Sequence, residues 1–144
     1  MVKRMKMYLW LCLCLLMLTG CPWGGMKYYP SETAKTYASD DSICFHIADE
    51  KDYQPVFIAI NLRNTPPKDR KFTKSPKLNI VNGKFCIPPS FYEFPVNSLD
   101  PFIIQVVLRS QNKNNHPRNF VIGFEMHDKM PYDVPLTKRE YDEL

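Results

Sequence analysis

Glycine, histidine and closely spaced cysteine are all scarce in this chain of 144 residues. Of its five glycines, one stands at position 20 inside a signal-like segment. There is no Gly-rich loop to cradle a phosphate and no Gly-x-Ser-x-Gly turn to present a nucleophilic serine. The three histidines, His46, His116 and His127, are far apart and form neither a His-Glu-x-x-His motif nor the Cys/His spacing of a zinc site. No Cys-x-x-Cys occurs. Asp49, Glu50 and Asp52 gather in one expected loop, a pattern typical of solvated turns that places no glycosidase pair. These absences argue against an enzyme, a metal centre or a resident cofactor. Helical periodicity is missing too. Thirteen prolines, all after residue 20, exclude a long helix or coiled coil. Nor does one charge dominate. Of 19 Lys and Arg, three (Lys3, Arg4 and Lys6) lie in the first six residues, which leaves 16 against 15 Asp and Glu beyond residue 20. A nucleic-acid partner is therefore not expected. A hydrophobic content of 44% and an aromatic content of 13% exclude a wholly disordered chain.

The N-terminus carries the strongest local signal. Residues 1–7 are cationic and residues 8–18 (YLWLCLCLLML) form an unbroken apolar run. As a helix, that run spans roughly 16 Å, about half of a hydrocarbon core. It is too short to cross a membrane and suits the apolar region of a secretory signal. It ends in Leu18-Thr19-Gly20-Cys21, which resembles the bacterial lipobox. The resemblance implies a diacylglycerol on the Cys21 thiol, cleavage before Cys21 and an acyl chain on the new amino group. Such an anchor holds far more firmly than a single chain. A plain signal peptide or an uncleaved anchor are the alternatives. Pro22 follows the cysteine where an Asp would favour retention in the inner membrane, so the outer membrane is expected. The tail Tyr141-Asp142-Glu143-Leu144 resembles an endoplasmic-reticulum retrieval signal only superficially, and the two signals belong to different cells.

Residues 21–40, rich in Gly, Pro, Ser and Thr, read as the lipidated end and a flexible tether, leaving 41–144 as a single domain. In that domain, apolar residues alternate. The inward sets are Ile43, Phe45 and Ile47; Val56, Ile58, Ile60 and Leu62; Leu78, Ile80, Phe85 and Ile87; Phe102, Ile104, Val106 and Leu108; Phe120, Ile122, Phe124 and Met126. Period-two patterning marks strands with one buried face. Asn82-Gly83 between two such runs predicts a two-residue hairpin, because both central positions need positive φ. Thr137 with Glu140 three residues on predicts a capping box opening a short C-terminal helix. Together these predict an all-β fold, a small antiparallel β-sandwich of immunoglobulin-like or related form.

Once Cys21 is acylated and the signal removed, Cys44 and Cys86 remain, in an oxidising compartment where paired thiols form disulfides. The bridge closes a loop worth roughly 4 kcal/mol in chain entropy before strain. The alternation puts both cysteines with polar neighbours, so the bridge is expected on an outer face or near a sheet edge, not in the inter-sheet core.

Two segments offer contact chemistry. Residues 63–77 hold six basic residues against Asp69 alone, so Lys68, Arg70, Lys71 and Lys74 are candidates to steer an acidic partner or anionic head groups. A solvated connection stiffened by Pro66-Pro67 explains the same residues. Between Pro88 and Pro95 stand Phe91, Tyr92 and Phe94. The bland reading makes the phenylalanines a plug for one end of the sandwich, and Tyr92 the contact candidate because its hydroxyl tolerates a wet edge.

The blocks Tyr53-Gln54-Pro55-Val56-Phe57-Ile58-Ala59-Ile60-Asn61-Leu62-Arg63 with Thr65-Pro66-Pro67-Lys68, and Ile80 through Tyr92, lie behind the lipobox. With it they resemble a family of small enterobacterial lipoproteins labelled type VI secretion system immunity periplasmic lipoproteins. The resemblance runs from the signal to about Leu136 and includes Cys44 and Cys86. It implies a membrane-anchored periplasmic protein whose partner is a secreted toxin, bound and neutralised. It transfers no catalytic residue. The competing expectations are a structural or accessory lipoprotein docking on an envelope or secretion assembly, and a small-molecule or glycan binder.

Overall fold

The computed structural model describes residues 1–17 and 29–142. The lipobox and Cys21 lie outside the described residues. Helix α1 (Val2–Met17) covers the cationic and apolar N-terminus. Among the described residues, no helix is long and apolar enough to cross a membrane.

The domain is a β-sandwich of two antiparallel sheets. One has the order β1-β2-β6-β5 and the other β4-β3-β7-β8-β9. The strands are β1 (Thr36–Ser39), β2 (Ser42–His46), β3 (Gln54–Leu62), β4 (Phe72–Lys74), β5 (Ile80–Val81), β6 (Lys84–Ile87), β7 (Phe102–Arg109), β8 (Arg118–His127) and β9 (Met130–Asp133). Helix α2 (Lys138–Asp142) closes the chain. The alternating apolar sets meet between the sheets. Phe45 and Phe85 pair across β2 and β6 with ring centroids 6.0 Å apart, and Phe45 meets Phe124 of the other sheet at 6.1 Å. Each fully buried side chain of this size contributes about 1.5–3 kcal/mol. Phe91, Tyr92 and Phe94 pack against this core at one end, with Phe94 edge-on to both Phe102 and Phe124.

The disulfide joins Cys44 and Cys86. They are direct cross-strand partners, with Cα atoms 4.0 Å apart. Their neighbours in register, Phe45 with Phe85 and Ile43 with Ile87, fill the core. The bridge therefore lies on the outer face of the four-stranded sheet, between its two central strands. Tyr37 stands opposite Cys44 from β1.

Three expectations about the chain path need correction. First, residues 31–39 belong to the domain. Glu32 bridges Phe120 of β8 in parallel, its N–H donating to Asn119 O at 2.8 Å while its carbonyl accepts from Val121 N at 2.8 Å, and β1 then joins the four-stranded sheet. Second, β3 does not alternate throughout. A register shift between Pro55 and Phe57 buries Pro55 and leaves Val56 half-exposed, as a β-bulge does. Leu62, at the strand's end, is 42% exposed. Third, β8 is buried on both faces over Val121 and Gly123, and the C-terminal segment lies against Gly123 on the outside.

Arg118 fixes how the N-terminal segment enters. Its Nε and Nη2 donate to both oxygens of Glu32 at 2.7 Å, and its Nη1 donates to the carbonyls of Ala48 and Asp49 at 2.9 and 3.0 Å. The guanidinium lies over the rings of Tyr53 and Phe120 at 5.4 and 5.1 Å. The Glu32 hydrogen bonds raise its pKa further, so the group stays charged at any ordinary pH. Arg118→Ala should cost about 2 kcal/mol, since several charge-assisted bonds are lost but Glu32 is partly solvated. Hydrogen exchange should rise first in residues 31–39 and 47–53. Arg118→Lys should not rescue it, because an ammonium cannot reproduce the bidentate fork.

Three two-residue turns show positive φ at both central residues: Asp40-Asp41 (47° and 61°), Asn82-Gly83 (51° and 74°) and Asp128-Lys129 (50° and 65°). Only the second has the residues this geometry prefers. Lys129 carries a side chain in the left-handed region, where glycine is favoured. Lys129→Gly should therefore raise stability by up to about 1 kcal/mol, seen as a higher midpoint in thermal unfolding.

Candidate functional site

On the five-stranded sheet, residues paired in register share a face. Phe57 with Val107 and Lys74, Ala59 with Gln105 and Phe72, and Asn61 with Ile103 all look outward. Beyond β9, the chain turns back over this face. Val134 N donates to Gly123 O at 2.9 Å. A Cβ on Gly123 would come within 2.8 Å of Leu136 and 3.1 Å of the Val134 carbonyl, so glycine there lets the strap lie directly on the sheet. The expected capping box then forms: Thr137 N donates to Glu140 Oε1 at 2.9 Å, and Glu140 N donates to Thr137 Oγ1 at 3.3 Å. Helix α2 is tied down by Ser31 Oγ donating to Tyr141 O at 3.0 Å and by Arg63. Arg63 Nε and Nη2 donate to the two Glu140 oxygens at 3.0 and 3.1 Å, and Nη2 also donates to Pro135 O at 2.7 Å.

The strap covers only the β8 side of the outer face. Between α2 and the β3–β4 connection lies a cleft of about 410 Å³. Asn61, Ile103 and Gln105 form its floor, the turn from Arg63 to Pro67 one wall, and Thr137, Arg139 and Glu140 the other. Arg63, Arg70 and Arg139 line it against the single carboxylate of Glu140, so the lining is net positive. Arg70 Nε donates to Thr65 O at 3.2 Å, bracing the turn. Asn61 pins the next residue with two bonds: its Nδ2 donates to Lys71 O at 3.0 Å and its Oδ1 accepts from Lys71 N at 2.8 Å. Beyond the cleft, Phe72 is 58% exposed and stacks on Phe57 at 5.4 Å, with Lys74 Nζ 6.0 Å from its ring centroid.

The four basic candidates thus fall on one hairpin. Lys68, Lys71 and Lys74 are exposed, while Arg70 is half-buried at the cleft. Tyr92 does not join them. Its ring lies against Phe94 at 4.7 Å and edge-on to Phe102 at 6.2 Å, and burial raises its phenol pKa. It is part of the plug at the end of the core, because the Pro-rich segment folds inward over Phe102. Sequence reasoning missed Arg63, Arg139, Glu140 and Phe72. The capping box was the one signal for Glu140, and nothing local marks its pairing with an arginine 77 residues away in sequence. Among the described residues, no group of three or more His, Cys, Asp or Glu is placed to hold a metal.

A family model described as a domain of unknown function (DUF7480) matches residues 31–129. The chain belongs to the DUF7480 family. No curated protein and no solved structure matches it. The matched span of the DUF7480 domain opens where Ser31 and Glu32 meet α2 and β8, and it ends in the β8–β9 turn, before the strap.

Burial opposes ionisation of Glu140, yet the Thr137 N–H, the Arg63 guanidinium and the Thr137 hydroxyl together hold its carboxyl below the usual range. A depressed folded pKa gives stability that is present above the ordinary value of 4.5 and lost as pH falls through the folded value. Glu140→Gln should cost about 1 kcal/mol at neutral pH. The gap between wild type and variant, read by thermal unfolding, should close as the pH is lowered past that value.

Proposed function

We propose that this chain is a lipid-anchored periplasmic immunity protein that binds and neutralises a toxin delivered by type VI secretion. The carrying observation is the resemblance of two sequence blocks to the immunity lipoproteins. Those blocks occupy β3 with its following turn, and the β5–β6 hairpin with the aromatic plug. The lipobox-like run before Cys21 supports membrane anchoring, and the Cys44–Cys86 bridge suits an oxidising compartment. A rigid, disulfide-braced sandwich keeps its surface pre-organised, which lowers the entropic cost of tight binding. Neutralisation by occlusion asks no chemistry of the chain, only a complementary surface.

A contact-dependent competition tests this. A strain lacking the gene is grown against its parent, with the parent's secretion apparatus active or disabled. The deletion strain should be killed selectively when secretion is active and rescued by the gene on a plasmid. Equal survival with secretion demonstrably active would overturn immunity and leave the accessory envelope role in its place.

A further inference from the structure

Two places on the sandwich bear on how an anchor at Cys21 would present it. Tyr29 stacks on His116 with ring centroids 4.2 Å apart, and the chain then runs parallel to the start of β8 until Glu32 pairs beside Phe120. The N-terminal segment therefore enters at the end of the sandwich that carries the β7–β8 loop. In the same sheet, Gln54 at the start of β3 is partnered with Arg109 at the end of β7, so the start of β3 lies at this entry end. The end of β3, Leu62, leads into the turn that carries Lys68 and Lys71 at the opposite end, and β4 then returns to the middle of β3, with Phe72 beside Ala59 and Lys74 beside Phe57. The nine residues of β3 cover roughly 30 Å. Seven residues lie between Cys21 and Tyr29, and the eight steps fully extended reach at most about 28 Å. An anchor at Cys21 thus joins the sandwich at its entry end, opposite the turn that carries Lys68 and Lys71.

That hairpin is not neutralised from within. Residues 63–77 carry six basic side chains and one acid. Arg63 is satisfied by Glu140. Lys68, Lys71 and Lys74 are exposed and, among the described residues, form no ion pair. Phe72 stands exposed among them, backed by Phe57, and the positive cleft opens alongside. An exposed, backed aromatic with Lys74 beside its ring and two more unpaired lysines on the same hairpin has the make-up of a binding anchor with an electrostatic rim. Lys68 and Lys71 stand at the end of β3 opposite the anchored one, which favours a protein partner over head groups.

Resting on the anchoring in the proposed function, we infer that the outer face around Phe72, Lys68, Lys71 and Lys74 is the docking surface for a protein partner presenting an acidic segment. Lysine charge steers the approach, and Phe72 supplies the apolar contact.

The test places a photoreactive phenylalanine at Phe72 or, as the entry-end control, at Lys113 in the full lipidated chain in intact cells. Irradiation should give a protein adduct at position 72 that is missing at position 113. Mass spectrometry should place the cross-link in a net-acidic peptide of the partner. With that partner purified, the triple variant K68E/K71E/K74E should weaken binding to the full chain in detergent about 100-fold or more, while K113E leaves it unchanged. The wild-type difference between low and high salt should shrink in the triple variant. A lipid adduct at position 72, protein adducts only at position 113, or full affinity in the triple variant would each overturn the inference. Immunity is judged separately by the competition. A deletion strain rescued equally by wild type and by the triple variant keeps immunity and removes this surface. A strong cross-link at position 72 with no protection by wild type keeps the surface and removes immunity.

Discussion

The bidentate contact between Arg118 and Glu32 is the constraint from which the arrangement of both chain ends follows. Arg118 opens β8 and stands where three segments converge: the N-terminal run through Glu32, the β2–β3 connection through Ala48 and Asp49, and the core's edge through Tyr53 and Phe120. Because Glu32 is held against β8, β1 begins at a fixed point. It crosses to the other sheet, with Thr36 N donating to Asp133 Oδ1 at 3.0 Å on the way. The same placement brings Ser31 to Tyr141 and so steadies α2. A guanidinium suits this post because its planar fork satisfies two carboxylate oxygens and two carbonyls at once while its faces rest on aromatic rings.

From α2 follows the shape of the exposed face. A sandwich with two outer faces normally wets both. Here the strap after β9 lies against Gly123 of β8 on one of them, and Val121, two residues along the same face, is fully buried at a position whose alternation points outward. What the strap leaves open is bounded on its other side by the β3–β4 hairpin, and the cleft is the gap between them. The Arg63–Glu140 pair spans that gap at its end and sets its width. The cleft is thus a by-product of two elements that are remote in sequence, which is why no contiguous motif announces it.

Much of the sandwich is legible in the sequence. Ile43, Phe45, Phe85, Ile87 and the four inward residues of β7 are buried as their alternation requires, Asn82-Gly83 makes the turn its φ angles demand, and Thr137 with Glu140 caps α2. The cysteines fall on the outer face for the same reason. The failures have physical causes. β1 and β9 are each attached by a turn of Asp-Asp or Asp-Lys, which adopts the same positive-φ geometry as Asn-Gly without a glycine to signal it. β4 hides inside a charged stretch because an edge strand of three residues needs no apolar alternation. The bulge after Pro55 shifts parity by one residue, and a shift of that kind leaves no compositional trace. Tyr92 read as a contact candidate because its hydroxyl tolerates a wet edge, whereas its ring packs against Phe94 and edge-on to Phe102 at the end of the core.

Scaffold and surface are separable in this molecule. The family match stops at residue 129, so the inter-sheet core, the disulfide and the β3–β4 hairpin lie within the shared span, while the strap and α2 lie beyond it. Core and bridge depend on side chains facing between the sheets or across β2 and β6, and none of those side chains lines the cleft. Changes on the hairpin or the strap can therefore alter charge, width and apolar contact at the outer face without creating a cavity in the core, where large-to-small changes cost several kcal/mol. For the proposed role that separation is useful: the exposed lysines, Phe72 and the strap are free to change, while stability rests in phenylalanines buried between the sheets.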